Sequence, residues 1–262
     1  MAIDWERFQE AMALRDSGRE EEAIRELRAM AQEALDPDEK AAHILGEAVS
    51  LLRLGRLDEA RKCNRRAADV AVSRGIRARI DFNEAVICWE ERKFKESFGV
   101  LNKMLKDYSE LLSTPDFRDL YEKVHQRRAI LLAEFDRQRE ARPLLEEALS
   151  FQLDADDKAL LLYYLGVALY KLGDKLGAKT RFLEAQQGRP DDYGSISSRF
   201  YLGVIYSEEG AYGKALQEFE WVEPRVSLTG IPKDRIYGWL AKTYRQTGNP
   251  SKAERYEKLP RE

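Results

Sequence analysis

Apolar, small and polar residues recur along this chain with a long period that is clearest in two segments. Leu165-Gly166-Val167-Ala168-Leu169-Tyr170-Lys171-Leu172-Gly173 and Leu202-Gly203-Val204-Ile205-Tyr206-Ser207-Glu208-Glu209-Gly210 share one order of large apolar, small and polar positions. Five residues past the second glycine of each stands an alanine, Ala178 and Ala215, and four residues later a phenylalanine, Phe182 and Phe219. The same pattern starts seven times, near Asp4, Ala41, Ala78, Glu122, Ala159, Ile196 and Asp234, in steps of 37, 37, 44, 37, 37 and 38 residues. A repeat of this length predicts one helix–turn–helix unit per copy, each burying its apolar face against its neighbours.

Two positions in the repeat admit only small side chains. The eighth residue is Ala11, Ala48, Ala85, Ala129, Gly166, Gly203 or Ala241, and the twentieth is Ala23, Ala60, Ser97, Ala141, Ala178, Ala215 or Ala253. Two helices crossing closely require this, because any larger group would push them apart. Gly18, Gly55, Gly173, Gly210 and Gly248 stand where a helix C-terminus needs a positive φ, while Arg92 and Asp136 replace glycine in the third and fourth repeats and predict less ideal turns. Asp36-Pro37, Thr114-Pro115 and Asn249-Pro250 read as a cap followed by proline at the first helical position. The 44-residue step carries seven extra residues, about two helical turns. It predicts one helix from Lys95 to Leu112, the next from Pro115 to Glu134, and a hairpin protruding at Ser113 to Asp116.

These residues resemble the tetratricopeptide repeat, whose shortest form is about 34 residues long. The resemblance covers nearly the whole chain. It implies an all-α fold, a right-handed α-solenoid (superhelix) of seven antiparallel helix-turn-helix repeats forming a single domain over residues 1–262. It also implies that the first helix of each repeat lines a concave groove.

Composition agrees with a helical protein and narrows its chemistry. Charged residues are 35% and hydrophobic residues 44% of the chain, with 8 Pro and 16 Gly, which excludes a disordered polypeptide. The net charge of −3 supplies no global basic field for nucleic acid or a membrane surface. The start of the chain has no basic segment followed by an apolar run, and no 18-residue apolar stretch occurs, so a cytoplasmic protein is expected. Cys63 and Cys88 fall in helical patterns and read as buried reduced thiols. His43 and His125 have no metal-ligand spacing around them, and no nucleophile arrangement is present, so neither an enzyme nor a cofactor is expected. Gly173-Asp174-Lys175-Leu176-Gly177-Ala178-Lys179-Thr180 imitates a phosphate loop, but Ala178 separates the glycine from the lysine that should follow it.

Candidate binding residues follow from the groove positions that the resemblance implies. They are Arg79, Asn83 and Trp89 in repeat three, Lys123 and Arg127 in repeat four, and Tyr163, Tyr164 and Tyr170 in repeat five. Phe200 and Tyr201 in repeat six and Arg235, Trp239 and Lys242 in repeat seven complete the set. Exposed Tyr, Trp, Phe and Arg mark binding hot spots, although aromatics at such positions also fill the space between helices. The peptide-binding carboxylate clamp of the family is met only by Asn83, Lys123 and Arg127, because Leu45 and Val49 stand at its other two places. A protein or peptide partner with acidic groups is the leading expectation, in a non-catalytic interaction scaffold. Single-stranded RNA stacked on Tyr163, Tyr201 and Trp239 is the second, and self-assembly, including a homodimer through the C-terminal repeat at Tyr256 and Leu259, is the third. At repeat position 7, normally leucine, Glu10, Glu47 and Glu84 are expected to be solvated or ion-paired.

Overall fold

The computed structural model describes residues 5–259; Asp4, the expected start of the first repeat, and Pro260 lie outside them. Every regular element among the described residues is helical. The helices pair as the repeat demands: α1 (Trp5–Asp16) with α2 (Glu20–Glu33), α3 (Pro37–Arg53) with α4 (Leu57–Val70), and α5 (Arg74–Glu90) with α6 (Phe94–Asp107). A four-residue α7 (Ser109–Leu112) precedes α8 (Arg118–Glu134) and α9 (Gln138–Ala148). Then come α10 (Ala155–Lys171) with α11 (Lys175–Ala185), α12 (Tyr193–Glu208) with α13 (Tyr212–Val222), and α14 (Lys233–Gln246) with α15 (Pro250–Glu257). The chain forms two compact units, Met1–Val124 and His125–Glu262, with the boundary inside α8.

One turn recurs between the helices of every pair. In repeat two the Gly55 N–H donates to the Leu52 carbonyl and the Arg56 N–H to the Leu51 carbonyl, both at 2.9 Å. The corresponding two bonds form in each repeat, closing the carbonyls that a helix end leaves open. They require a left-handed residue, and the five glycines there have φ from 71° to 92°. Arg92 and Asp136 adopt the same conformation, at φ 61° and 60°, against the steric preference of an L residue. The turn geometry is therefore dictated by the pairing of the helices and not by glycine.

The small residues lie where the helices meet. Ala11, Ala48, Ala85, Ala129, Ala23, Ala60, Ala141, Ala178, Ala215 and Ala253 are all fully buried. At Gly166 a Cβ would stand 2.5 Å from Cε1 of Phe182, and at Gly203 2.6 Å from Cε1 of Phe219. In the first four repeats, whose eighth residue is alanine, the position of those phenylalanines holds the smaller Leu27, Asn64, Leu101 or Leu145, each buried, and in the seventh, with Ala241, it holds the exposed Glu257. Glycine and phenylalanine thus form a matched pair that conserves the volume of the crossing.

Around the insertion the structure departs from the expected pair of long helices. Lys95 to Leu112 is not one helix: α6 ends at Asp107, where Tyr108 leaves helical geometry (φ −114°, ψ 18°). The Tyr108 hydroxyl donates to Asp81 at 2.8 Å, and the Arg74 guanidinium to the Asp107 carbonyl at 2.7 Å. Thr114-Pro115 opens only the three-residue 3-10 turn Pro115–Phe117 and makes no side-chain cap. Ser113, Pro115 and Asp116 are exposed, but the segment folds back on α5, where a Cβ on Gly75 would stand 2.6 Å from the Phe117 ring. A half-buried aromatic and a tyrosine–carboxylate bond outweigh the small gain of continuing a helix into solvent.

Two stability measurements test these contacts. Gly166→Ala is expected to cost roughly 1–3 kcal/mol in urea denaturation, and adding Phe182→Leu should recover most of it; no recovery would show that the two do not share the crossing. Arg92→Gly, at an exposed side chain, should gain ~0.5–1 kcal/mol by relieving the left-handed arginine.

Candidate functional site

In the second unit the first helices α10, α12 and α14 pack in sequence, and aromatic side chains fill the seams between them. Phe182 on α11 stacks on Tyr201 at 5.3 Å between ring centroids, and Phe219 on α13 stacks on Trp239 at 6.1 Å. Tyr163 meets Tyr164 edge-on at 5.0 Å, Tyr193 edge-on at 5.6 Å and Tyr201 at 6.0 Å. These contacts correct part of the expected groove. Phe200 is fully buried, and Tyr163, Tyr164 and Tyr201 are no more than 7% exposed. They serve as core: Tyr163 and Phe200, at repeat position 5, meet Phe182 and Phe219 of their own second helices, and Tyr201, at position 6, lies against Phe182 of the preceding one. Two of the three faces considered for base stacking, Tyr163 and Tyr201, are thereby closed.

What the aromatic core leaves at the surface is a cationic strip on α14. The exposed Arg235 places its guanidinium 5.3 Å from the centroid of Phe200 and 5.4 Å from that of Tyr201. One turn on, Trp239 is half-buried, and the Lys242 ammonium lies 4.4 Å over its ring. The seven-residue offset separates the two cations by about 10 Å along the helix axis. Neither forms an ion pair with a carboxylate among the described residues, whereas Lys171–Asp136, Lys175–Glu208, Lys179–Glu209, Arg199–Glu218 and Arg245–Glu257 are paired. Beside the strip, the half-buried Tyr170 donates its hydroxyl to Glu208 at 2.6 Å. Burial works against ionisation of Glu208, but the Lys175 and Tyr170 hydrogen bonds outweigh it and hold the carboxyl below its ordinary range. The Tyr170 and Tyr164 phenols are both pushed up, first by burial and then by Glu208 for Tyr170 and by Tyr193 and Glu134 for Tyr164.

The candidates of the first unit are largely engaged within the chain. Arg79 pairs with Asp119 at 3.1 Å and covers the Phe117 ring at 5.3 Å. Asn83 is buried and donates to Asn64 at 3.1 Å, so its amide is taken. Trp89 is half-buried against Phe94, and Lys123 is exposed. Arg127 lies half-buried in the second unit. In the C-terminal repeat, Tyr256 stacks on Tyr244 at 5.8 Å and donates to Glu223 at 2.8 Å, while Leu259 is half-buried.

The unusual acids at repeat position 7 have three different environments. Glu10 is exposed; Glu47 is fully buried and is met by Arg28 at 2.6 Å and Arg66 at 3.6 Å. Glu84 pairs with Arg61 and accepts from Asn64 at 3.2 Å. Arg28 and Arg66 come from the second helices α2 and α4 on either side of Glu47, and Arg61 from α4 preceding Glu84. Arg28 and Arg61 thus offset these charges across the seam between repeats. Cys63 and Cys88 are free and buried, and burial, helped by Glu47, pushes the Cys63 thiol up to about 11. Burial also lowers the pKa of His43 and of His125. No group of three or more His, Cys, Asp or Glu among the described residues could hold a metal ion. The phosphate-loop imitation is a helix cap, in which Asp174 accepts from the Gly177 N–H at 2.9 Å.

Helix hairpins stacked through small-residue crossings, with glycine-type turns, define a class of helical repeat scaffold. No protein-family model matches the chain, and no curated protein does. Solved structures do. The tetratricopeptide repeat protein from Parabacteroides merdae is 14% identical with a TM-score of 0.54, over 82% of this chain and 77% of that one. The C-terminal part of a TPR repeat-containing protein from Cytophaga hutchinsonii is also 14% identical, with a TM-score of 0.53 over 95% and 92%. Pseudomonas aeruginosa PilF is 18% identical, with a TM-score of 0.63 over 84% and 90%. This chain has the tetratricopeptide-repeat fold. No helix among the described residues is long and apolar enough to cross a membrane.

Core and strip aromatics should separate in stability. Phe200→Ala is expected to cost ~3–5 kcal/mol in chemical denaturation, and Trp239→Ala clearly less, since its ring is only partly buried. Equal losses would place Trp239 in the core as well.

Proposed function

We propose that this chain is a non-catalytic protein-interaction scaffold whose α14 strip, Arg235–Trp239–Lys242 with the Tyr170 edge, captures an acidic segment of another protein. One observation carries the reading: Arg235 and Lys242 stand on aromatic faces and form no ion pair among the described residues, whereas Lys175 and Arg199 nearby are ion-paired. Stacking holds each exposed cation in place without an ion pair, and although Lys242 also acts on the Glu208 carboxyl, the pair favours an incoming carboxylate over a neutral group. The half-buried Trp239 supplies the apolar contact that anchors such a segment. Because the strip is built on packed helices, little ordering is required of it on binding. The spacing of about 10 Å fits carboxylates three residues apart on a polyproline-type strand, at about 3.1 Å per residue. Among the structures similar in fold is a hetero-tetramer of Cut9 with Hcn1, 16% identical with a TM-score of 0.65, covering 94% of this chain and 44% of that one.

The test uses fluorescent peptides with two glutamates three residues apart around a leucine, beside lysine-for-glutamate and alanine-for-leucine analogues. The acidic peptide is expected to bind best, and Arg235→Glu or Lys242→Glu to weaken it at least ~10-fold, about 1.4 kcal/mol. Trp239→Ala should weaken both the acidic peptide and its alanine analogue toward a common low affinity. If the acidic and lysine peptides bind alike, or the charge reversals change nothing, this strip is not a site for acidic segments.

A further inference from the structure

The outer surface of repeat five carries a feature that the groove does not use. Leu176 is 78% exposed, Leu183 43% and Leu172 40%, three of the few large apolar side chains at the surface. Leu176 and Leu183 lie on one face of α11 with Thr180 between them, at the offsets of four and three residues that align side chains along a helix. The repeat provides an internal control. At the position of Leu176 the other repeats of this unit have Arg139, Gly213 and Ser251, and at that of Leu183 they have Glu146, Glu220 and Lys258. A solvated second helix in this fold does not need leucine there, and only α11 has it at both places. Contiguous exposed apolar surface of this kind marks contact with a partner.

The surrounding charge says which partner. Leu172 shares an open concavity of about 640 Å³ with Asp136, Arg137, Gln138, Arg139, Glu140 and Lys171. The Lys171–Asp136 and Arg137–Glu140 pairs there leave Arg139 as the cation without an ion pair among the described residues. On the far side Lys214 of α13 shares the Tyr206 ring with Lys179 of α11, at 5.7 and 4.6 Å from its centroid. The acids near the stripe are engaged: Glu146 with Arg142, Glu184 with Arg181, Glu209 with Lys179, and Asp174 in the α11 cap. Arg139 and Lys214 form no ion pair among the described residues and are left as a basic rim. A straight leucine ridge about 10 Å long fits the groove of a second helix. We infer that this outer face of α11 docks an amphipathic helix of another protein, with leucine-type residues on its contact face and acidic residues along its flanks.

The probe is a synthetic helical peptide with leucines at alternating four- and three-residue spacing and glutamates on both flanks, compared with its lysine-flanked twin by fluorescence anisotropy on the full chain. The acidic form should bind at least ~10-fold tighter, and Leu176→Glu should abolish the difference with the melting temperature unchanged, since that side chain is exposed. Reversing both rim cations, Arg139→Glu with Lys214→Glu, should switch preference to the lysine twin. Arg235→Glu should lose the groove peptide and keep this one, which separates failure here from failure of the groove. Equal binding of the twins, or acidic binding that survives Leu176→Glu, overturns the proposal. So does a dimer in light scattering that Leu176→Glu dissolves, or binding to phosphatidylserine vesicles that the same variant abolishes, because either outcome gives the face a different occupant.

Discussion

The structure depends on how closely the two helices of each hairpin cross. At repeat positions 8 and 20 the backbones approach until only a methyl group, or nothing, fits between them. Interior packing is too dense for this separation to vary, so it sets where every neighbouring side chain lies. The turn is subordinate to it. Arg92 and Asp136 take up left-handed geometry that costs them energy, since the hairpin they close is held by contacts on both sides.

The two units meet the same constraint with different chemistry. In the first, alanine crossings sit beside aliphatic residues such as Ile24, Ile44, Leu51 and Ile87. Buried Glu47 is neutralised by arginines of adjacent second helices, so part of the cohesion between repeats is ionic there. In the second unit, glycine opposite phenylalanine admits rings into the seams, and Tyr201 and Trp239 continue the stack from one repeat to the next. The cationic strip is a by-product of that core. The exposed Arg235 rests on the rings of Phe200 and Tyr201, both of them buried.

The proposed sites face different directions of use. The α14 strip is a few charges over a rigid aromatic floor, suited to reading carboxylate spacing. The α11 ridge is apolar with charge at its margins, suited to burying one face of a helix. The two proposals separate these chemistries, so the partners proposed for the two sites would not compete.

The repeat, the small-residue crossings and the glycine turns were all legible in the amino-acid sequence. They are local in spacing, and any closely crossed helix pair would demand them. Asp36 and Asn249 as caps were legible for the same reason. The fate of the aromatics was not. Tyr163, Phe200 and Trp239 look alike along the chain, yet burial differs because it depends on which ring a neighbouring repeat brings against them. The seven-residue insertion shows the same limit: its length predicted a longer helix pair, while Tyr108 found Asp81 and Phe117 found Gly75 across α5. Sequence alone determined the unit and its period through side-chain volume; tertiary structure alone decided which surface is left over, because exposure belongs to neighbours distant along the chain.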